Sequence, residues 1–187
     1  MIRFLTAGES HGKCLLLIID GFPAGLKVDI SSLNGELQRR QIGYGRGNRM
    51  KIEKDEAELL SGVRLGKTTG APISLLIKNK DWLNWEEIMS LEEREIEPVL
   101  LPRPGHADLS GYLKYGLADL RDVIERASAR ETAARVAAGA MAKLLLREFS
   151  IEIFSFTVAI GKRRARVEGN WEDVREKAEA SPLRCPD

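Results

Sequence analysis

The stretch SARETAARVAAGAMAKLLLREF, Ser128 to Phe149, decides the fold. Val136, Ala137, Ala140, Met141, Leu144 and Leu145 recur at helical spacing, which predicts a helix over Ala129–Phe149 with one apolar face. Ser128-Ala-Arg-Glu131 fits a capping box, with Ser128 bonding the N3 amide and Glu131 reaching back. The small residues Ala133, Ala134, Ala137, Ala138, Gly139 and Ala140 let another backbone approach closely. A helix of this kind needs a partner layer, and the flanking sequence supplies strands.

Upstream, Ile2–Leu5 and Cys14–Asp20 read as strands joined by the loop Ala7-Gly8-Glu9-Ser10-His11-Gly12. Gly21–Gly25 is a turn by composition, and a helix is expected over Ser32–Gln41 with Asp29 or Ser31 as N-cap. Glu58–Val63 and Ile73–Lys78 look like strands around the turn Thr69–Pro72, while Trp82–Glu95 is helical or irregular. Downstream, Ile151–Ile160 alternates like a strand and Trp171–Ala180 reads as a polar surface helix. Strands interspersed with helices give an α+β class with helices packed on sheet. Neither an internal repeat nor a low-complexity tract is visible.

With 43% hydrophobic residues, the 187-residue chain can fill one sizeable core. Charged residues make up 30%, yet the net charge is only +1, which argues against a general nucleic-acid binder. Two distant cysteines, Cys14 and Cys185, suit neither a metal knuckle nor a disulfide framework and fit a reducing cytoplasm. The apolar run Leu15–Ile19 is too short to span a membrane, and Glu9, Ser10 and His11 interrupt any signal-peptide core. The expectation is a soluble cytoplasmic protein with no membrane partner.

Three constellations carry chemistry. The two histidines, His11 and His106, both sit in glycine-bearing loops beside acidic or hydroxyl residues: Gly8-Glu9-Ser10-His11-Gly12 and Pro104-Gly105-His106-Ala107-Asp108. Imidazole titrates near neutrality, so two readings stand: each ring bonds its own loop, or the two transfer protons. Between Gln38 and Lys51 the chain carries Arg39, Arg40, Arg46, Arg49 and Lys51 without an acid. Guanidinium forks match carboxylate and phosphate oxygens, so this loop suits a multiply charged small anion; a solvated basic loop or an RNA-contacting Arg-Gly segment are the alternatives. Arg126, Ser128 and Arg130 cluster where the long helix begins, a place for a phosphate or for ordinary capping. Gly62-Val-Arg-Leu-Gly66-Lys67-Thr68 is one residue short of a P-loop and precedes a strand, so triphosphate binding is rejected there. No His or Cys spacing suggests a metal.

Five collinear segments together resemble chorismate synthases: FLTAGESHGKCLLLIIDGFPAG (Phe4–Gly25), RRQIGYGRGNRMKIEKD (Arg39–Asp55), SGVRLGKTTGAPISLLIKNKD (Ser61–Asp81), LPRPGHADLSGYLKYG (Leu101–Gly116) and DLRDVIERASARETAARVAAGAMAK (Asp119–Lys143). The resemblance implies a β-α-β sandwich, of which residues 1–187 form the N-terminal part of a single domain, about half the family's length. It implies a lyase that converts 5-enolpyruvylshikimate 3-phosphate to chorismate and phosphate by anti-1,4 elimination, with reduced FMN and no net oxidation. His11 is then the proton donor toward the departing phosphate, and His106 the acid or base near the flavin ring. Ser10, Arg40, Arg46 and Arg49 fall where the family binds substrate phosphate and carboxylates, and Arg130 at a further substrate contact. Arg126, Ala127 and Ser128 fall at an FMN-contact segment; Arg40 and Arg46 also match proposed NADP contacts, so NADPH enters only as a reductant source. The family's other half carries further FMN loops, an Asp that assists proton removal, and contacts of a homotetramer. The expectation is that the 187-residue chain alone folds poorly and turns over little; a non-catalytic FMN- or anion-binding role and RNA binding through the Arg-Gly loop are the competing readings.

Overall fold

The alternation in Cys14–Asp20 and Ile73–Lys78 sets the frame of the molecule. In the computed structural model, which describes residues 1–187 apart from Arg46, Asn48 and the side chain of Lys51, both segments are central strands. In chain order the elements are β1 (Arg3–Gly8), β2 (Cys14–Asp20), α1 (Ile30–Gln41), α2 (Arg49–Ile52), β3 (Ala57–Ser61), β4 (Val63–Arg64), β5 (Lys67–Thr68) and β6 (Ile73–Lys78). After a 3₁₀ turn at Lys80–Asn84 come α3 (Asp108–Tyr115), α4 (Arg121–Arg126), a second 3₁₀ turn (Ala129–Glu131), α5 (Thr132–Arg147), β7 (Ala159–Ile160), β8 (Arg163–Arg164) and α6 (Trp171–Ala180).

One antiparallel sheet in the order β1-β2-β6-β3 carries the core. Leu15, Leu17 and Ile19 stand opposite Ile77, Leu75 and Ile73, so six branched side chains share one face. Onto that face pack α1, through Leu33 and Leu37, and α5, through Ala133, Ala134, Ala137, Ala140, Met141 and Leu144. The alanine-rich side of α5 is what brings the two helices close together over the sheet. Asp29 caps α1 by accepting from the Ser31 amide at 3.0 Å.

Three expectations change. The capping box forms only in part: Ser128 Oγ accepts from Arg130 N at 3.3 Å and opens a 3₁₀ turn, whereas Glu131 is drawn away to Thr6 Oγ1 and Arg135 Nε, both at 2.7 Å. The expected strand over Glu58–Val63 breaks at Gly62, whose φ of +78° and contact with Ile73 leave no room for a Cβ, so Val63–Arg64 turns off to pair with Lys67–Thr68. Ile151–Ile160 is not a strand along its length. Only Ala159–Ile160 pairs, with Arg163–Arg164, while Thr157 donates instead to the Arg184 carbonyl at 2.7 Å. Alternation fixes which side chains share a face, but a strand exists only where a neighbour accepts its backbone bonds. The Trp82–Glu95 segment resolves into a short 3₁₀ turn followed by irregular chain, and α6 takes its expected bounds.

Candidate active site

The loop Glu9–Lys13 leaves the sheet between β1 and β2, and buried polar side chains fix it from below. Gly8 makes the exit possible: its φ is +95°, and a Cβ there would meet the Cys14 carbonyl oxygen at 2.2 Å. Asn79, at the end of β6, donates from Nδ2 to the carbonyls of Glu9 (3.0 Å) and Gly12 (2.6 Å), and its own amide donates to the Lys13 carbonyl. From the other side, the Ser10 amide donates to the Glu125 carbonyl at 3.1 Å.

Within that frame Ser10 meets Arg49 and Ser128, while Arg40 and Arg130 meet at Asp55. Its hydroxyl, in a side chain only 2% exposed, lies 2.9 Å from Ser128 Oγ and accepts from Arg49 Nη1 at 2.8 Å. Arg49 Nη2 donates to the Ser10 carbonyl and, at 3.1 Å, to Glu53 Oε1. Arg40 reaches Thr132 Oγ1 at 2.9 Å, the Ala129 carbonyl at 3.0 Å and Asp55 Oδ2 at 3.0 Å. Arg130 is 3% exposed and committed to protein acceptors: Asn79 Oδ1 at 2.7 Å, the Lys78 carbonyl at 3.2 Å and Asp55 Oδ1. Arg46, the remaining arginine expected here, lies outside the described residues.

Glu53 and Asp55, both buried, were not singled out in the sequence, although they follow the arginine run directly in Ile52-Glu53-Lys54-Asp55. A signal existed: guanidinium groups are buried only when paired. The consequence is electrostatic. Arg40, Arg49 and Arg130 against Glu53 and Asp55 leave about one surplus positive charge from this set.

His11 occupies the adjoining wall. Both its backbone amide (2.7 Å to Oε2) and its ring Nδ1 (2.9 Å to Oε1) address the carboxylate of Glu125, which is 1% exposed. Its ring stacks on Trp85 with centroids 3.9 Å apart and 24° between planes. Trp85 is held in turn by Asp81 Oδ2, which accepts from the indole N–H at 3.1 Å. Hydrogen bonding from Asn84 above all, then from Trp85, with the nearby Arg49 charge, holds the Asp81 carboxyl below its usual range despite partial burial. Glu125, Trp85 and Asp81 were also missed by sequence reasoning, since none belongs to a recognisable spacing.

His106 stands apart from this cluster. It is exposed just before α3, its amide donates to the Arg103 carbonyl at 3.3 Å, and no described contact joins its ring to His11, Ser10 or the arginines. Its loop is latched by Arg103 and Asp108: Asp108 Oδ2 accepts from Arg103 N and Nε, both at 2.9 Å, and Oδ1 from Nη2 at 2.8 Å. Those side-chain bonds from Arg103 hold the Asp108 carboxyl down at about 2 against the effect of burial. Arg126 donates to the Gly8 carbonyl and, with Ala127, lines an open pocket of about 530 Å³ walled by Tyr115, Leu117 and Val123. Ser128 lies on the other side, against Ser10. Among the described residues no group of His, Cys, Asp and Glu is placed to hold a metal, and no helix is long and apolar enough to cross a membrane.

A buried arginine–carboxylate lattice beside a clamped histidine thus sits on an α+β frame. The chain belongs to the chorismate synthase family, whose model matches residues 2–187. It is 59% identical over 191 residues to the chorismate synthase of Carboxydothermus hydrogenoformans, covering 100% of this chain and 50% of that protein. With the chorismate synthase of Aquifex aeolicus the identity is 56% over 197 residues, covering 99% of this chain and 50% of the relative. A solved structure titled "Crystal Structure of Chorismate Synthase" superposes with a TM-score of 0.77 at 47% identity, over 99% of this chain and 49% of that one. The chain thus spans about half the length of the curated relatives it matches.

Proposed function

We propose that this chain carries the phosphate-releasing half of a chorismate synthase site: the conversion of 5-enolpyruvylshikimate 3-phosphate to chorismate and inorganic phosphate. The observation that carries the reading is the meeting of His11, Ser10, Arg49 and Ser128 at one loop, with Glu125 behind the histidine. In the elimination the C–O bond to phosphate breaks with its electron pair, and a proton leaves the ring carbon 1,4-related to it. The C–H pair forms a new double bond, and the ring double bond between the two carbons shifts toward the one that loses phosphate, giving a conjugated diene. His11, as the imidazolium, gives its proton to a phosphate oxygen and so stabilises the charge that develops there. Arg40, Arg46 and Arg49 bind phosphate and carboxylates; Arg130, already bonded on Nε and both Nη atoms, acts in this reading by holding Asp55 and Asn79 in place as well as by its charge.

The residues present fit a flavin. Arg126 offers a guanidinium at the rim of a pocket whose walls, Tyr115, Leu117, Val123 and Ala127, suit a planar apolar ring, with Asp122 as the one acid in the lining. Reduced FMN, when bound, supplies electron density to the breaking bond and recovers it, so the reaction involves no net oxidation. His106 serves as acid or base beside the flavin, and NADPH, if used, is only a source of reductant. The active form is a cytoplasmic homotetramer of the longer protein, with residues 1–187 as the N-terminal part of one domain.

A second reading is an FMN- or anion-binding chain without turnover. Anaerobic incubation with reduced FMN and 5-enolpyruvylshikimate 3-phosphate separates the two. Chorismate from the complete open reading frame supports the lyase; flavin binding without product supports the second reading.

A further inference from the structure

His11 is held on three sides. Glu125 accepts from its backbone amide at 2.7 Å through Oε2, and the same carboxylate lies 2.9 and 3.0 Å from ring Nδ1. Trp85 covers one ring face at 3.9 Å. Behind these, Arg121 Nη1 stands 3.8 Å from Glu125 Oε1 with its guanidinium 5.4 Å from the Trp85 ring, and Asp81 fixes the indole. Nε2 has no hydrogen-bond partner among the described residues. A carboxylate has no proton to give, so the neutral imidazole beside it must place its proton on Nδ1.

We infer that Glu125 and Trp85 are positioning residues that lock His11 as the Nδ1–H tautomer in a single ring orientation. Nε2 is then the one nitrogen that exchanges a proton with a bound anion. The assignment rests on the lyase reading for its catalytic consequence, and on geometry alone for the tautomer. Nδ1 lies between the two carboxylate oxygens, at 2.9 and 3.0 Å, so in Glu125→Gln an NH₂ replaces one of the two oxygens that face it. That NH₂ repels an Nδ1–H and donates to a bare Nδ1, which favours the Nε2–H form. The charged groups facing the ring are Glu125 and Arg121 from α4, Asp81 from the 3₁₀ turn and, through Asp81, Arg49 from α2 at 4.0 Å.

The test is ¹⁵N NMR of histidine-labelled protein, with His11 assigned by difference from His11→Asn. The wild-type spectrum at a pH where the ring is neutral should show a protonated Nδ1 and a bare Nε2. Glu125→Gln should lose that preference, and Trp85→Phe, which keeps a ring to stack on, should retain it. In turnover assays Glu125→Gln should lower kcat by about 10²–10⁴-fold with KM nearly unchanged. A wild-type His11 carrying its neutral proton on Nε2 overturns the inference without any variant, as does a Glu125→Gln spectrum identical to wild type. The expected tautomer in a protein that makes no chorismate leaves the clamp standing and sinks the lyase reading; chorismate synthesis with the wrong tautomer does the reverse.

Discussion

Asp108 and Arg103 show how one pair can set the acid limit of a loop. In the folded chain Arg103 holds the Asp108 carboxyl at about 2, below its ordinary value of 3.8, so the latch stabilises the loop fully above that ordinary value. It is lost as pH falls through about 2. Slow exchange of the Arg103 amide should therefore persist down to mildly acidic pH and disappear in strong acid, and Asp108→Asn should abolish that dependence. Asn79 is the residue on which the other loop depends, since it bonds two carbonyls of Glu9–Gly12 and the Arg130 Nε–H. Asn79→Ala should destabilise the fold by about 1–3 kcal/mol in denaturant unfolding, because it strands buried polar groups. Histidines in glycine loops and arginines in a run were legible from residue type. Their carboxylate partners were not, because Glu125 reaches Ser10 and His11 across more than a hundred residues, and a long-range pairing leaves no local pattern.

Elements whose period matched a packing face were legible, although α1 begins at Ile30 rather than Ser32 and α5 spans Thr132–Arg147 within the expected Ala129–Phe149. Leu33 and Leu37 on α1 and the alanine face of α5 meet because both helices need the same sheet to cover them. Leu37 is fully buried, so Leu37→Ala should lower stability by about 2–5 kcal/mol, measured by urea unfolding. What failed were features decided by a distant partner: Glu131 left its capping role for β1, and Ile151–Val158 kept strand-like alternation without a neighbouring strand among the described residues. Gly62 broke a strand for a local reason, its positive φ against Ile73, which a glycine within a strand-like run only hints at.

Across the whole molecule, the sheet has two unlike faces. One lies under α1 and α5; on the other Leu5 and Ile18 stand opposite each other at 72% and 46% exposure. Such a patch should bind a dye that reports exposed apolar surface, and Leu5→Lys should reduce that signal without lowering helix content. The site is built from chain segments as far apart as Ser10, Arg49, Asn79 and Ser128, which explains why its membership needed the fold. The most direct measurement is the yield of chorismate and phosphate from 5-enolpyruvylshikimate 3-phosphate under anaerobic conditions with reduced FMN. It would be made on the complete protein and on its His11→Ala variant. Equimolar products from the first, falling by about 10²-fold or more in the second, is the expected result. A folded, FMN-binding protein that forms neither product, or a His11→Ala variant as fast as the parent, would contradict the account.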